Sequence, residues 1–424
     1  MVTRLLPLCL LLATLAASGC SVFFGESVVT GPEEDAGGED VQDGGVGLDT
    51  LDGADEDVTT PNMGTCESAW SADVSGCNLW RLVADPGHRR IYGLGSCQAD
   101  GGDSAAVVVL DACTGVQTSV IRLAPRGDLS GAWLEGDTMH VVGRVRDAGD
   151  LDRPFYALLD LRPLSPEPIV TRWIDNTRNG ALLDVGQDGD GNLWVTGFVG
   201  NWGLANRTLR LDVLDRDGQA RCTNNLALPP LSMGKRIHAV DGALLVAGMV
   251  EGQARVWEPT ATCDASGCQC DLGEKARWGP PDGYDAFEAE DFLVDEGRFV
   301  AVGGGWLPMP ELAPTLSALT PGSEATWDLR AADTNGLYRA VAAIEGRLVA
   351  AGVVQAPLDL SGDDWGQGVL TMFNADTLLR TVDVDVGRGI VTDLCIYEQS
   401  LVVAVMNGVG RTIRRCTSAM QCGP

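Results

Sequence analysis

The sequence predicts an all-β chain: a seven-bladed β-propeller of four-stranded antiparallel blades, closed by pairing of the N- and C-terminal strands. Three observations predict it. A β run, a tight turn and a second apolar run recur as Ile91–Gly95, Met139–Gly143, Leu193–Gly197, Leu244–Gly248, Phe299–Gly303, Leu348–Gly352 and Leu401–Val405. Their final residues are 48, 54, 51, 55, 49 and 53 apart, and periods of ~40–50 residues are those of propeller blades. No 3.6-residue apolar periodicity of useful length lies between them, so helices have no place in the unit. Apolar residues make up 45% of the 424, enough for a sizeable core.

The elements follow in chain order. Arg4 is the only charge before the apolar run Leu5–Ser18, which is too short to span a bilayer of roughly 30 Å as a helix. It reads as the hydrophobic part of an export signal over residues 1–19. Residues 20–65 read as a disordered tether. Their stretch 31–58 holds eleven acids, no base and no aromatic residue, so it buries too little apolar surface to offset its chain entropy. The propeller occupies residues 66–424.

Each blade is expected to run from an inner strand A to an outer strand D. Acid-Gly pairs such as Asp241-Gly242, Glu296-Gly297 and Glu345-Gly346 precede the recurring runs and supply the positive φ that two-residue hairpins need. A further β run follows most of them: Ala105–Leu110, Phe155–Leu161, Leu209–Leu214, Val369–Phe373 and Arg411–Arg414. Ser68–Val74 reads as a D strand that precedes the first A strand, while only residues 417–424 follow the last C strand. The N-terminal strand is therefore expected to complete the last blade, leaving no exposed sheet edge there.

Eleven cysteines remain beyond Cys9 and Cys20. An exported chain permits disulfides, and the odd count leaves at least one thiol over. Cys263, Cys268 and Cys270 sit at a C–D turn, where one pair would staple the hairpin. Cys66 and Cys77 at one end, with Cys416 and Cys422 at the other, are placed to clasp the ring, and Cys97 with Cys113 to bond inside blade 1.

By strand alternation the B–C and D–A connections share one face. The B–C connections are the longer ones (96–104, 144–154, 198–207, 304–314 and 353–367), so that face carries the elaborated loops. They hold Trp202, Trp306 and Trp365 with Asp150, Asp363 and Asp364, while Arg178, Lys235 and Tyr284 fall in D–A segments. Aromatic rings with carboxylates suit a sugar, a peptide or Ca²⁺; a packing role for each Trp over its own blade edge is the alternative. His238 is expected to begin an A strand that lines the channel. With 30 basic against 59 acidic residues, a net charge of −29 and three histidines, the chain repels phosphate backbones and offers little for His-based metal sites. No nucleic-acid partner and no resident cofactor are predicted.

Two stretches resemble known families. Ala17-Ser18-Gly19-Cys20 resembles the lipobox of bacterial lipoproteins. The resemblance implies lipidation of the Cys20 thiol, cleavage before it, acylation (palmitate) of the new amino terminus, and firm anchoring, since each buried methylene contributes ~0.8 kcal/mol. Ser21 in place of Asp implies the outer membrane of the cell envelope. Asp184–Gly197 resembles the SBBP-type bacterial β-propeller repeat, D-x-x-G-N-x-Y-V-T-G, which speaks to fold and not to activity. There is no G-x-S-x-G elbow, H-E-x-x-H or P-loop. The expectation is a lipid-anchored envelope protein whose propeller is a non-catalytic binding or scaffolding module for protein or glycan. An extracytoplasmic propeller enzyme acting on polysaccharide is the alternative, and it would need paired acids with raised pKa in the channel.

Overall fold

The computed structural model describes residues 66–423 except 67, 100–101, 163–166, 176–177, 202–205, 225–228, 230, 241, 265–266, 307–311, 330–334, 356–365, 408–409 and 418–419. The signal and tether readings of residues 1–65 thus lie outside it, Cys20 included. Within it the strands form seven four-stranded sheets, six of them ordered A to D along the chain and the seventh completed by the chain's first strand.

Blade 1 is β2 (Cys77–Asp85), β3 (Arg90–Ala99), β4 (Gly102–Asp111) and β5 (Gln117–Pro125), and the last-closed blade begins the chain with β1 (Trp70–Asp73). Blade 2 is β6 (Gly127–Glu135), β7 (Thr138–Arg146), β8 (Asp152–Asp160) and β9 (Val170–Trp173). Blade 3 is β10 (Gly180–Gln187), β11 (Leu193–Val199), β12 (Thr208–Leu214) and β13 (Ala220–Asn224). Blade 4 is β14 (Ser232–Val240), β15 (Ala243–Val250), β16 (Gln253–Asp264) and β17 (Gly267–Trp278). Blade 5 is β18 (Ala286–Asp295), β19 (Arg298–Trp306), β20 (Leu312–Leu319) and β21 (Thr326–Leu329). Blade 6 is β22 (Gly336–Ile344), β23 (Arg347–Val354), β24 (Gln367–Asn374) and β25 (Arg380–Arg388). Blade 7 is β26 (Ile390–Tyr397), β27 (Ser400–Met406) and β28 (Arg411–Cys416), with β1 as its outer strand.

The recurring run is the B strand of every blade, and its closing glycine has a steric cause. Every inner strand carries a bulge where it faces this position, between Leu79 and Arg81, Ala289 and Asp291, and their five counterparts. A Cβ on Gly95, Gly143, Gly197, Gly248, Gly303 or Gly352 would run into a carbonyl oxygen of that strand. Only blade 7 carries a side chain there, Val405 opposite Val391. The acid-Gly turns behave as expected: Glu345 and Gly346 both have positive φ, 50° and 69°, the type I′ pattern. The core lies between neighbouring blades. Tyr92, Leu94 and Val107 of blade 1, for example, pack with Met139, Val141 and Phe155 of blade 2.

The ring closes as predicted. β1 pairs antiparallel with β28, Trp70 opposite Arg415 and Asp73 opposite Thr412. The disulfides differ from the expected clasp and from the expected Cys97–Cys113 bond. Cys66 bonds Cys113, Cys77 bonds Cys97, and Cys416 bonds Cys422. The reason is register: Cys77 and Cys97 are direct partners across β2 and β3, and the chain before β1 passes the C–D turn of blade 1 that carries Cys113. Cys222 bonds Cys270 and so joins the outer strands of blades 3 and 4. Cys268 is disulfide-bonded as well, with Cys263 its register partner across the β16–β17 hairpin. Cys395 is free.

Candidate functional site

The predicted loop-face residues are mostly outside the described part of the chain. This holds for Trp202, Trp365, Asp363 and Asp364; Trp306 ends β19, its side chain undescribed. Asp150 is exposed in the B–C loop of blade 2 and pairs with Arg126. That loop is shorter than expected, residues 147–151, because β7 and β8 extend further. The first B–C connection is shorter still, since Ala99 pairs with Gly102 across it. Lys235, expected in a D–A segment, lies inside β14, and His238 stands near the end of that strand, not at its start.

What the structure brings together is the channel wall. The residue just past each bulge faces the axis: Arg81, Gly131, Asp184, Arg236, Asp291, Ala340 and Asp393 form one ring. A bulge re-aims the side chains beside it, and here it aims charges inward. The carboxylates bind backbone on the next blade. Asp393 Oδ2 accepts from Leu82 N at 2.6 Å, Asp184 Oδ2 from Ile237 N at 2.9 Å and Asp291 Oδ2 from Val341 N at 3.0 Å. Arg236 Nε donates to Asp291, while Asp393 Oδ1 lies 3.7 Å from Arg81 and 3.9 Å from Arg236. Gly131 is matched to this ring, because a Cβ there would stand 2.6 Å from Asp184 Cα.

The bulged residues form a second layer on the loop-rich side. Glu290 sits between Lys235 and Arg339, each at 3.2 Å. Ser130 Oγ donates to Leu182 O at 2.6 Å, and Thr392 Oγ1 to Leu79 O at 2.7 Å. Each of these contacts again crosses from one blade to the next.

Burial pushes the Glu290 and Asp291 carboxyls up, but the neighbouring cations outweigh it and hold both below their ordinary values. For Asp393 burial wins over Arg81 and Arg236, and its pKa is raised to about 6. Burial likewise lowers the His238 imidazole and raises the Cys395 thiol, so both are neutral near pH 7.

On the short-turn side of the ring lies a cavity of about 280 Å³, lined by Arg81 and His238, by Cys395, and by the inner strands of blades 5, 6 and 7. His238 Nε2 and Arg81 Nε are buried without a hydrogen-bond partner. The other histidine on a strand, His140, is structural: it is 3% exposed and lies 2.9 Å from the Tyr156 hydroxyl. Asp188, in the A–B turn of blade 3, spends its carboxylate on Asp190 N, Asn192 N and Trp194 Nε1, as a hairpin turn does.

The ring carboxylates were not singled out from the sequence, yet a signal exists. Asp291 precedes Gly303 by 12 residues and Asp393 precedes Val405 by 12, and Asp393 is the one acid of its strand. Asp184 precedes Gly197 by 13 and Arg81 precedes Gly95 by 14, so an alignment on the B strands brings only the first two of the ring's Asp residues into one column. No protein-family model matches the chain, and no curated protein matches it either.

Proposed function

We propose that this chain is a lipid-anchored envelope protein whose propeller is a non-catalytic binding module, presenting its loop-rich face to a protein or glycan. The observation that carries the reading is where the chain enters the ring. Trp70 pairs with Arg415 at the short-turn end of β28, and Cys66 is bonded to Cys113 in a C–D turn. The tether therefore leaves from the short-turn face, and the elaborated loops point away from the anchor. Four disulfides with both partners defined suit an oxidising, extracytoplasmic compartment. The ring acids support a binding role in preference to chemistry, because three of them are engaged with backbone N–H groups and hold blades together.

Two measurements test this. Radiolabelled palmitate should enter the wild-type chain in cells and not Cys20→Ser. On an array of defined glycans and purified envelope proteins, the combined change of Trp202, Trp306 and Trp365 to Ala should abolish binding while leaving Tm nearly unchanged. Unlabelled wild type would overturn the anchor. Binding that survives the triple change would overturn the loop face, and turnover of a polysaccharide would favour the enzyme reading.

A further inference from the structure

The propeller supplies its own template for a second site, on the opposite face. In blades 1, 4 and 6 the N–H one residue past the ring position points to the channel and is held by an Asp of the preceding blade: Leu82 by Asp393, Ile237 by Asp184, Val341 by Asp291. Blades 5 and 7 have the same register after the same bulge. Phe292 pairs with Ala301 and Leu394 with Val403, as Leu82 pairs with Gly93. Their N–H groups consequently point to the channel too. The preceding blades, however, place Arg236 and Ala340 there, and neither side chain is an acceptor.

Phe292 and Leu394 both line the 280 Å³ cavity, together with Arg81 and His238. Ala340 ends at Cβ and cannot reach the Leu394 N–H as an Asp does in three other blades, whereas the ring residue of the blade before Phe292 is Arg236, a long side chain paired with Asp291. Leu394 is thus the donor with the shorter neighbouring side chain. Arg81 is the cation on its far side: its Nη1 is 3.7 Å from Asp393, beyond hydrogen-bond reach, and its Nε has no partner. His238 adds a neutral polar edge and Leu293 with Ala342 an apolar wall.

We propose that this cavity binds a small carboxylate. One oxygen takes, at the Leu394 N–H, the role that Asp393 plays at Leu82, and the guanidinium of Arg81 is its counter-ion. A volume of about 280 Å³ holds roughly nine water volumes and lies at the small end of ligand sites, so the ligand is a short-chain mono- or dicarboxylate. The site is on the mouth nearer the tether and does not depend on what the loop-rich face binds.

The test uses the full chain in detergent micelles, with propionate and succinate as probes and propionamide as the neutral control. The Leu394 amide resonance should shift saturably with a carboxylate and not with propionamide. Arg81→Gln should weaken the affinity roughly tenfold or more, the loss of a charge-assisted hydrogen bond. Ala340→Asp should abolish it by providing the carboxylate from within. No saturable shift, an equal response to propionamide, or unchanged affinity in Ala340→Asp would overturn the proposal. Should Ala340→Asp not fold, unchanged affinity in Arg81→Gln would overturn it alone.

Discussion

Asp393, on the inner strand of the last blade, accepts the backbone N–H of Leu82, on the inner strand of the first, at 2.6 Å. The ring is therefore closed without covalent help at the rim, by β1 on β28, and toward the axis, by this bond and by Thr392 Oγ1 on Leu79 O. Asp393→Ala leaves the Leu82 N–H without its acceptor and Arg81 without its ion-pair partner, and it should cost about 1–3 kcal/mol. Asp393→Asn keeps an acceptor oxygen and should cost less. Urea unfolding followed by Trp fluorescence measures both; equal losses would mean that the oxygen is not what matters.

The same residue gives a pH dependence with a defined sign. Burial raises the Asp393 carboxyl from 3.8 to about 6, against the pull of Arg81 and Arg236 and with help from Asp291. A carboxyl whose folded value lies above its unfolded one favours folding while protonated, and that contribution is lost as pH rises through about 6. Wild type should gain about 1 kcal/mol relative to Asp393→Asn as pH falls from about 7 to about 5, the upper limit of about 3 kcal/mol being reached only below the unfolded value of 3.8. Glu290 and Asp291, both lowered, run the other way and lose their contribution below about pH 4. Held low, both stay ionised between about pH 5 and about pH 7 in either protein and add no slope to the difference there. A flat difference between the two stability curves would show that Asp393 stays ionised throughout.

The bulge explains why glycine recurs, and it predicts a cost. Ala at position 303 would press its Cβ into the Glu288 carbonyl and against Ala289 Cα. Backbone must move, so Gly303→Ala should destabilise by about 1–3 kcal/mol, the range of overpacked cores. Gly279→Ala is the control, since a Cβ there meets nothing within 4 Å and φ is not positive. Thermal unfolding that ranks the two alike would remove the steric account of the repeat.

What could be read from the sequence was what repeats locally. The B strands, their I′ turns and the closing strand at Trp70–Asp73 all follow from patterns a few residues long. The pairing of Cys66 with Cys113 and of Cys222 with Cys270 was not legible, because neighbouring blades bring together residues 47 and 48 positions apart. The inner ring was hidden for a related reason. Arg81, Asp184, Asp291 and Asp393 make sense only when seven inner strands face one axis, and in a chain with 59 acids a single buried Asp is inconspicuous.

The Cys66–Cys113 bond gives the last prediction. β1 is held to β28 by four residue pairs, and any pull on the tether reaches the chain just before it. Cys66 is fixed to blade 1 ahead of β1, so the load passes into the C–D turn at Cys113 and the closing strand stays unloaded. The bond also encloses 47 residues, against six for Cys416–Cys422. Chain entropy assigns such loops about 4 and about 2 kcal/mol respectively. The double change of Cys66 and Cys113 to Ser should thus cost more at equilibrium than that of Cys416 and Cys422. Pulled from its N-terminus, the first variant should also release β1 in a separate low-force step that wild type lacks. A wild-type trace with the same early step would show that the bond does not shield the seam.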